Sequence, residues 1–156
     1  MENNTVEILL VEDNYDAVEF ALLAFKMNNI TNKVHIARDG VEALEHLFGT
    51  VDGNDLRNGH LKIILLDLKL PRVDGLQVLK RIKTHPKAKM IPVVVLTSSK
   101  EEKDLMESYT LGVNSYVQKP VDFHQFTEVV NQICLYWLLL NRQPEYNPGE
   151  PPVKNS

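Results

Sequence analysis

Three short apolar runs, ILLV at 8–11, IILL at 63–66 and VVVL at 93–96, carry no polar residue at alternate positions. A strand with one wet face alternates in polarity. Runs without alternation must be covered on both faces, as the central strands of a parallel sheet are beneath two layers of helix. Weaker runs at 33–37 and 115–117, with the first run starting near residue 6, complete a set of five strands. Between them the apolar period lengthens. Ala17, Phe20, Ala21 and Ala24 recur at i, i+3, i+4 and i+7, and Val41, Leu44 and Leu47 at i, i+3 and i+6, which predicts helices with one buried face. Further helices are expected over 76–82, over 105–111 with Gly112 as the stop, and from 123 to about 140. The expected fold is therefore α/β: a (βα)5 chain making a doubly wound, parallel, five-stranded sheet in the flavodoxin-like order 2-1-3-4-5.

Two segments fall outside this pattern. The stretch GTVDGNDLRNGH at 49–60 reads as a surface loop. Prolines at 144, 148, 151 and 152 forbid a continuing helix, so the expected organisation is one domain over 1–141 and a proline-rich tail over 142–156. A chain of 156 residues with 44% hydrophobic and 24% charged residues suits one such domain.

Charge and cysteine content narrow the function. A net charge of −4 lacks the basic excess that neutralises nucleic-acid phosphates. The single cysteine, Cys134, leaves neither an internal disulfide nor a zinc set, which favours a reducing, cytoplasmic compartment. No apolar run approaches the roughly 18 residues of a membrane span, and the acidic start MENNTVE does not read as a secretion signal.

In a doubly wound sheet the active crevice lies beyond the carboxyl ends of the strands. The residues there are Glu12 and Asp13 after the first strand, Asp67 after the third, Thr97 after the fourth, and Lys119 with Pro120 after the fifth. Bare carboxylates ~4 Å apart repel by about 4 kcal/mol per pair at an effective dielectric of ~20, so such a cluster calls for a cation. An all-oxygen set suits Mg²⁺. With charge so balanced Asp67 can act as a nucleophile toward phosphorus, its developing negative charge met by the cation, the Lys119 ammonium and the Thr97 hydroxyl. A Lys-Pro bond after the last strand suggests a cis peptide that aims the ammonium into the crevice.

Taken singly, each of these residues has a plainer reading. Asp13 or Asn14 can cap the next helix, Lys119 can be a surface lysine, Thr97 can simply end its strand, and Tyr116 can be a half-buried strand aromatic. Together they are hard to explain that way. The set VEDN, the phrase DLKLPRVDG, Thr97, Tyr116 three residues before the lysine, and Lys119-Pro120 resembles the response-regulator receiver family over about residues 5–140. That resemblance implies a phosphoacceptor signalling protein, catalysing only its own phosphorylation and dephosphorylation, with Asp67 phosphorylated by a sensor histidine kinase. It further implies Mg²⁺ bound by Asp13, Asp67 and the backbone carbonyl of Lys69, with Glu12 acting through water, and a switch in which Thr97 moves inward and Tyr116 follows. Lys69 and Ser99 occupy positions that tune hydrolysis in this family. The long 49–60 insertion and the apolar helix end YWLLLN resemble the single-domain response regulators paired with cyanobacterial phytochromes, which makes a phytochrome the candidate kinase.

Other chemistries on similar sheets fit poorly. A haloacid-dehalogenase-type phosphatase needs an aspartate two residues after its nucleophile, where this chain has Tyr15 or Lys69. The loop EDNYD would repel the phosphate of a flavin carrier, and no G-x-G-x-x-G turn exists for a dinucleotide. An unphosphorylated adaptor with the same fold remains the alternative, although retention of all five polar groups argues against it. The five histidines show no ligand spacing and are expected to be surface or structural residues.

The last helix suggests self-association. At 100° per residue Phe126, Val130, Ile133 and Trp137 form one stripe for the sheet, which leaves Leu135, Leu138 and Leu139 on the outer side. Such a patch predicts a homodimer, or else a cover formed by the tail.

Overall fold

The computed structural model describes residues 6–49 and 60–144. Five parallel strands, β1 (Ile8–Val11), β2 (Val34–Ala37), β3 (Ile63–Leu66), β4 (Val93–Thr97) and β5 (Ser115–Gln118), form one sheet in the order β2-β1-β3-β4-β5. The helices are α1 (Tyr15–Met27), α2 (Gly40–Phe48), α3 (Gly75–Thr84), α4 (Glu102–Leu111) and α5 (Phe123–Cys134), with a short 3₁₀ turn at Ala88–Met90. Class, topology and strand order are those expected from the sequence.

The unbroken apolar runs are explained by two cores. Along β1, β3 and β4, Leu9, Val11, Ile64, Leu66, Val93 and Val95 face α2 and α3 through Ala43, Leu47, Val78, Leu79 and Ile82. Their neighbours Ile8, Leu10, Ile63, Leu65, Val94 and Leu96 face α1 and α5 through Ala21, Ala24, Phe25, Phe126, Val130 and Ile133. Each of the larger side chains, Val, Leu, Ile or Phe, contributes on the order of 1.5–3 kcal/mol by leaving water, and that anchors the strand ends that carry polar groups. The edge strands β2 and β5 are only half-buried over most of their length, matching their weaker runs.

Local chemistry sets where the helices begin. Asn14 accepts from the Ala17 N–H at 3.0 Å, Asp39 from the Glu42 N–H at 2.8 Å, and Asp74 and Gln77 form a reciprocal capping box. α4 ends at Gly112 with φ 98°, a left-handed position that favours glycine. A Cβ on Gly75 would stand 2.3 Å from the Asp67 carbonyl oxygen, so only glycine lets α3 start against the turn after β3.

Three helix readings are corrected. The buried face of α1 is Val18, Ala21, Ala24 and Phe25, while Phe20 is exposed and rests edge-on against Phe123 with ring centroids 5.1 Å apart. The face is turned by one position because α1 must meet both the sheet and α5. In α2 the buried set is Gly40, Ala43, Leu47 and Phe48, with Val41 and Leu44 only half-buried. The last helix changes pitch: beyond Cys134 the residues Leu135–Leu140 form a π-helical turn, closed by the Asn141 N–H donating to the Tyr136 carbonyl at 2.6 Å. Wider pitch rotates Leu138 inward against the α1/α5 core, whereas Leu135, Tyr136, Leu139 and Leu140 are exposed. Trp137 packs against the core as expected. Most of the 49–60 loop and of the proline-rich tail lies outside the described residues, although the Gln143 side chain donates to the Leu61 carbonyl at 2.9 Å.

Candidate functional site

Ladder hydrogen bonds place the polar residues that end the strands side by side. The Glu12 N–H donates to Ala37 O at 3.0 Å, the Asp67 N–H to Val11 O at 3.0 Å, and the Lys119 N–H to Thr97 O at 2.7 Å. Glu12, Asp67, Thr97 and Lys119 therefore line the carboxyl edge of β1, β3, β4 and β5. Glu12, Asp67 and Thr97 are buried, and Asp13 is exposed on the rim.

The carboxylates of Glu12, Asp13 and Asp67 each offer an oxygen, all within 4.8 Å of one another. Like charges this close favour a divalent cation, and hard oxygen donors from three residues fit one. The Lys119 ammonium partly neutralises the group. It is hydrogen-bonded to Glu12 Oε1 and lies 3.6 Å from Asp67 Oδ2. Burial pushes the Glu12 pKa up, the Asp67 charge adds to this, and Lys119 with the Asn14 N–H opposes it.

Lys119 reaches the crevice without the expected cis bond. No cis peptide occurs among the described residues, and the Lys119–Pro120 bond is trans. The ladder bond to Thr97 O and the length of the lysine side chain suffice to carry the ammonium to Glu12.

Lys69 stands on the turn after β3, its backbone N–H facing Asp67 Oδ1 at 3.4 Å. The same turn is closed by the Gly75 N–H donating to Leu68 O at 2.9 Å. The Thr97 hydroxyl accepts from the Ser99 N–H at 3.3 Å. Tyr116 is half-buried on β5 with its hydroxyl buried; burial pushes its pKa up, and the Ser99 side chain opposes this. Glu12, Asp13, Asp67, Lys69, Thr97 and Lys119 thus lie at this edge of the sheet, with Tyr116 within β5. One neighbour escaped notice. Asp104 on α4 is buried and accepts from Ser99 Oγ at 2.6 Å while pairing with Lys69 Nζ at 3.3 Å. Its signal was faint: α4 has Asp104 and Ser108 at i and i+4 where an amphipathic helix would put apolar residues.

Comparison with known proteins agrees with this geometry. Residues 8–131 match the family described as "Response regulator receiver domain". The chain is 41% identical over 138 residues to the probable methanogenesis regulatory protein FilR2 of Methanothrix harundinacea, covering 88% of this chain and 86% of that one. It is 39% identical to the response regulator Rcp1 of Synechocystis, covering 84% and 88% of the two chains. The Mn²⁺-bound structure of Rcp1 superposes with a TM-score of 0.79 at 37% identity, covering 89% and 99%. The phosphorylated cyanobacterial phytochrome response regulator RcpA superposes with a TM-score of 0.81 at 36% identity, covering 90% and 99%. Sheet order, the residues at its carboxyl edge and these matches agree: the chain belongs to the response-regulator receiver domain family.

Proposed function

We propose that this protein is a response regulator that takes a phosphoryl group from a phosphohistidine of a sensor histidine kinase onto Asp67. The observation that carries the reading is that a buried Asp67, 3.6 Å from an ammonium, shares its crevice with two further carboxylates and a buried hydroxyl. One Asp67 oxygen attacks phosphorus, the P–N bond to the imidazole breaks, and the electron pair leaves with the imidazole. Mg²⁺, held by Asp13, Asp67 and the Lys69 carbonyl with Glu12 acting through water, would supply positive charge to the transferring group. Lys119 turns from Glu12 toward the phosphoryl oxygens. Thr97 gives up its bond from Ser99 and donates its hydroxyl proton to another of those oxygens, and Tyr116 follows it inward. The same groups support slow hydrolysis of the acyl phosphate, which resets the switch.

The signal leaves through the surface of α4, β5 and α5. Likeness to the cyanobacterial phytochrome response regulator RcpA supports a phytochrome as the kinase, and a buried free thiol at Cys134 suits the reducing cytoplasm. The exposed Leu135, Tyr136, Leu139 and Leu140 support a homodimer joined through the end of the last helix. Incubation with histidine kinases carrying a labelled phosphoryl group, in Mg²⁺, tests the core of the proposal. Label is expected on the wild type and absent from Asp67→Asn.

A further inference from the structure

Asp104 is the charged residue of the site that the phosphoacceptor reading leaves without a task. It is 4% exposed at the start of α4, and Ser99, its partner on the loop after β4, is 8% exposed. The two short steps of this network converge on one atom. Ser99 Oγ donates to Asp104 Oδ2 at 2.6 Å, and Lys69 Nζ lies 3.3 Å from the same oxygen. The Ser99 hydroxyl also accepts from the Glu101 N–H at 3.3 Å, and the Ser99 N–H is the group that donates to the Thr97 hydroxyl. Through one carboxylate, α4 is tied to the turn after β3 and to the loop that orients Thr97.

We propose that Asp104 is a positioning residue of the phosphorylation site: it latches Ser99 and the Lys69 ammonium in the resting arrangement and so opposes entry of a phosphoryl-sized anion at Asp67. The inference rests on the phosphoacceptor reading. Three consequences of the latch act in one direction. As Thr97 moves toward a phosphoryl oxygen the Ser99 N–H that it accepts from must follow or release it, and the bond from Ser99 to a buried carboxylate resists that movement. Lys69, on the rim beside Asp67, has its charge engaged by Asp104 instead of being available to an incoming anion. The Asp104 carboxylate, paired with the Lys69 ammonium on the rim of the crevice, also disfavours a second anion there. A residue that merely anchored the first turn of α4 would affect stability and leave anion affinity unchanged or weakened.

The probe is beryllofluoride, a phosphoryl mimic, titrated into the full chain in Mg²⁺, with a thermal melt of every variant. Asp104→Asn is expected to bind it on the order of fivefold or more tighter than wild type, within the usual range of coupling between linked sites. Asp104→Glu should return affinity toward wild type. In a Lys69→Met background the gain from Asp104→Asn should shrink, because part of it comes from the released ammonium. Ser99→Ala should reproduce the part due to the loop, and it carries the test alone if the melt shows Asp104→Asn unfolded. If wild type binds beryllofluoride while folded Asp104→Asn or Ser99→Ala binds it equally or more weakly, the latch is wrong and the phosphoacceptor reading stands. If wild type neither binds the mimic nor takes phosphate from any donor, the phosphoacceptor reading falls and the latch falls with it.

Discussion

The Lys119 ammonium sits on Glu12, hydrogen-bonded to its Oε1, and stands 3.6 Å from Asp67 Oδ2. It therefore occupies, in the resting protein, the negative charge that a cation would use. Lys119→Ala should bind Mg²⁺ as tightly as wild type or more tightly, while losing the conformational response to phosphorylation. In the metal-free variant the effects that raise the Glu12 pKa, burial and the Asp67 charge, lose their main opponent. A carboxyl with a raised folded pKa contributes stability below its unfolded value of about 4.5, and that contribution is lost as pH rises through the folded value. Lys119→Ala should thus lose melting temperature between acid and neutral pH more steeply than wild type, and Mg²⁺ should restore it. Abolished metal binding in this variant would show that lysine and metal do not compete.

Asp13 is the exposed member of the carboxylate cluster, and no ion pair to it is seen among the described residues. Removing its charge relieves repulsion without breaking a salt bridge. Asp13→Asn is expected to weaken Mg²⁺ binding on the order of tenfold or more, because a hard cation loses a charged oxygen. In chelator the same variant should be stabilised by about 0.5 kcal/mol, a typical size for an exposed charge. Calorimetric titration and chemical denaturation with and without metal check both halves.

Far from the crevice, the Lys83 ammonium donates to Asn114 Oδ1 at 2.8 Å and to the carbonyls of Lys89 and Ile91 at 3.3 Å. Burial lowers its pKa from 10.5 to about 8. A lysine whose folded pKa lies below its unfolded value binds fewer protons when folded, so its cost is carried in full below the folded value and relieved as pH rises toward 10.5. The stability of wild type relative to Lys83→Met should therefore increase between pH 8 and 10.5, with a slope of at most about 1.4 kcal/mol per pH unit for one proton. A flat difference would mean that the three acceptors keep the ammonium fully charged.

Leu139 and Leu140 are 74% and 67% exposed at the end of the π-helical turn that follows α5. Light scattering is expected to show a dimer that weakens when both are changed to glutamate. The Leu138→Glu variant should instead lower the melting temperature, since Leu138 packs against the α1/α5 core. A strict monomer at high concentration, phosphorylated or not, would remove the dimer from the proposal.

How far the sequence foretold this molecule follows from which features are local. Strands were legible because β1, β3 and β4 are buried on both faces, and their ends were legible because Glu12, Asp67 and Thr97 follow those runs directly. The convergence of those polar residues was legible too, since a parallel sheet brings its carboxyl edge together whatever the intervening helices do. Helix faces were less legible. Phe20 fits the apolar period of α1 yet lies outside the buried stripe, because contact with α5 as well as the sheet rotates the helix. Leu138 was misplaced because a π-helical turn changes the angle per residue, and no proline or glycine announces it. The Lys119–Pro120 geometry and the Asp104 latch depend on contacts between distant segments, which spacing along the chain does not encode.

The central claim is that Asp67 is the phosphoacceptor, and the most direct measurement is site mapping of the acyl phosphate. The full chain, labelled by a histidine kinase in Mg²⁺, is treated with borohydride, which reduces an aspartyl phosphate to homoserine, and its peptides are identified by mass spectrometry. Homoserine is expected at position 67 in wild type, at no other position, and nowhere in Asp67→Asn; homoserine at position 13, the longer alcohol 2-amino-5-hydroxyvalerate from Glu12, or equal labelling of the variant would contradict the account.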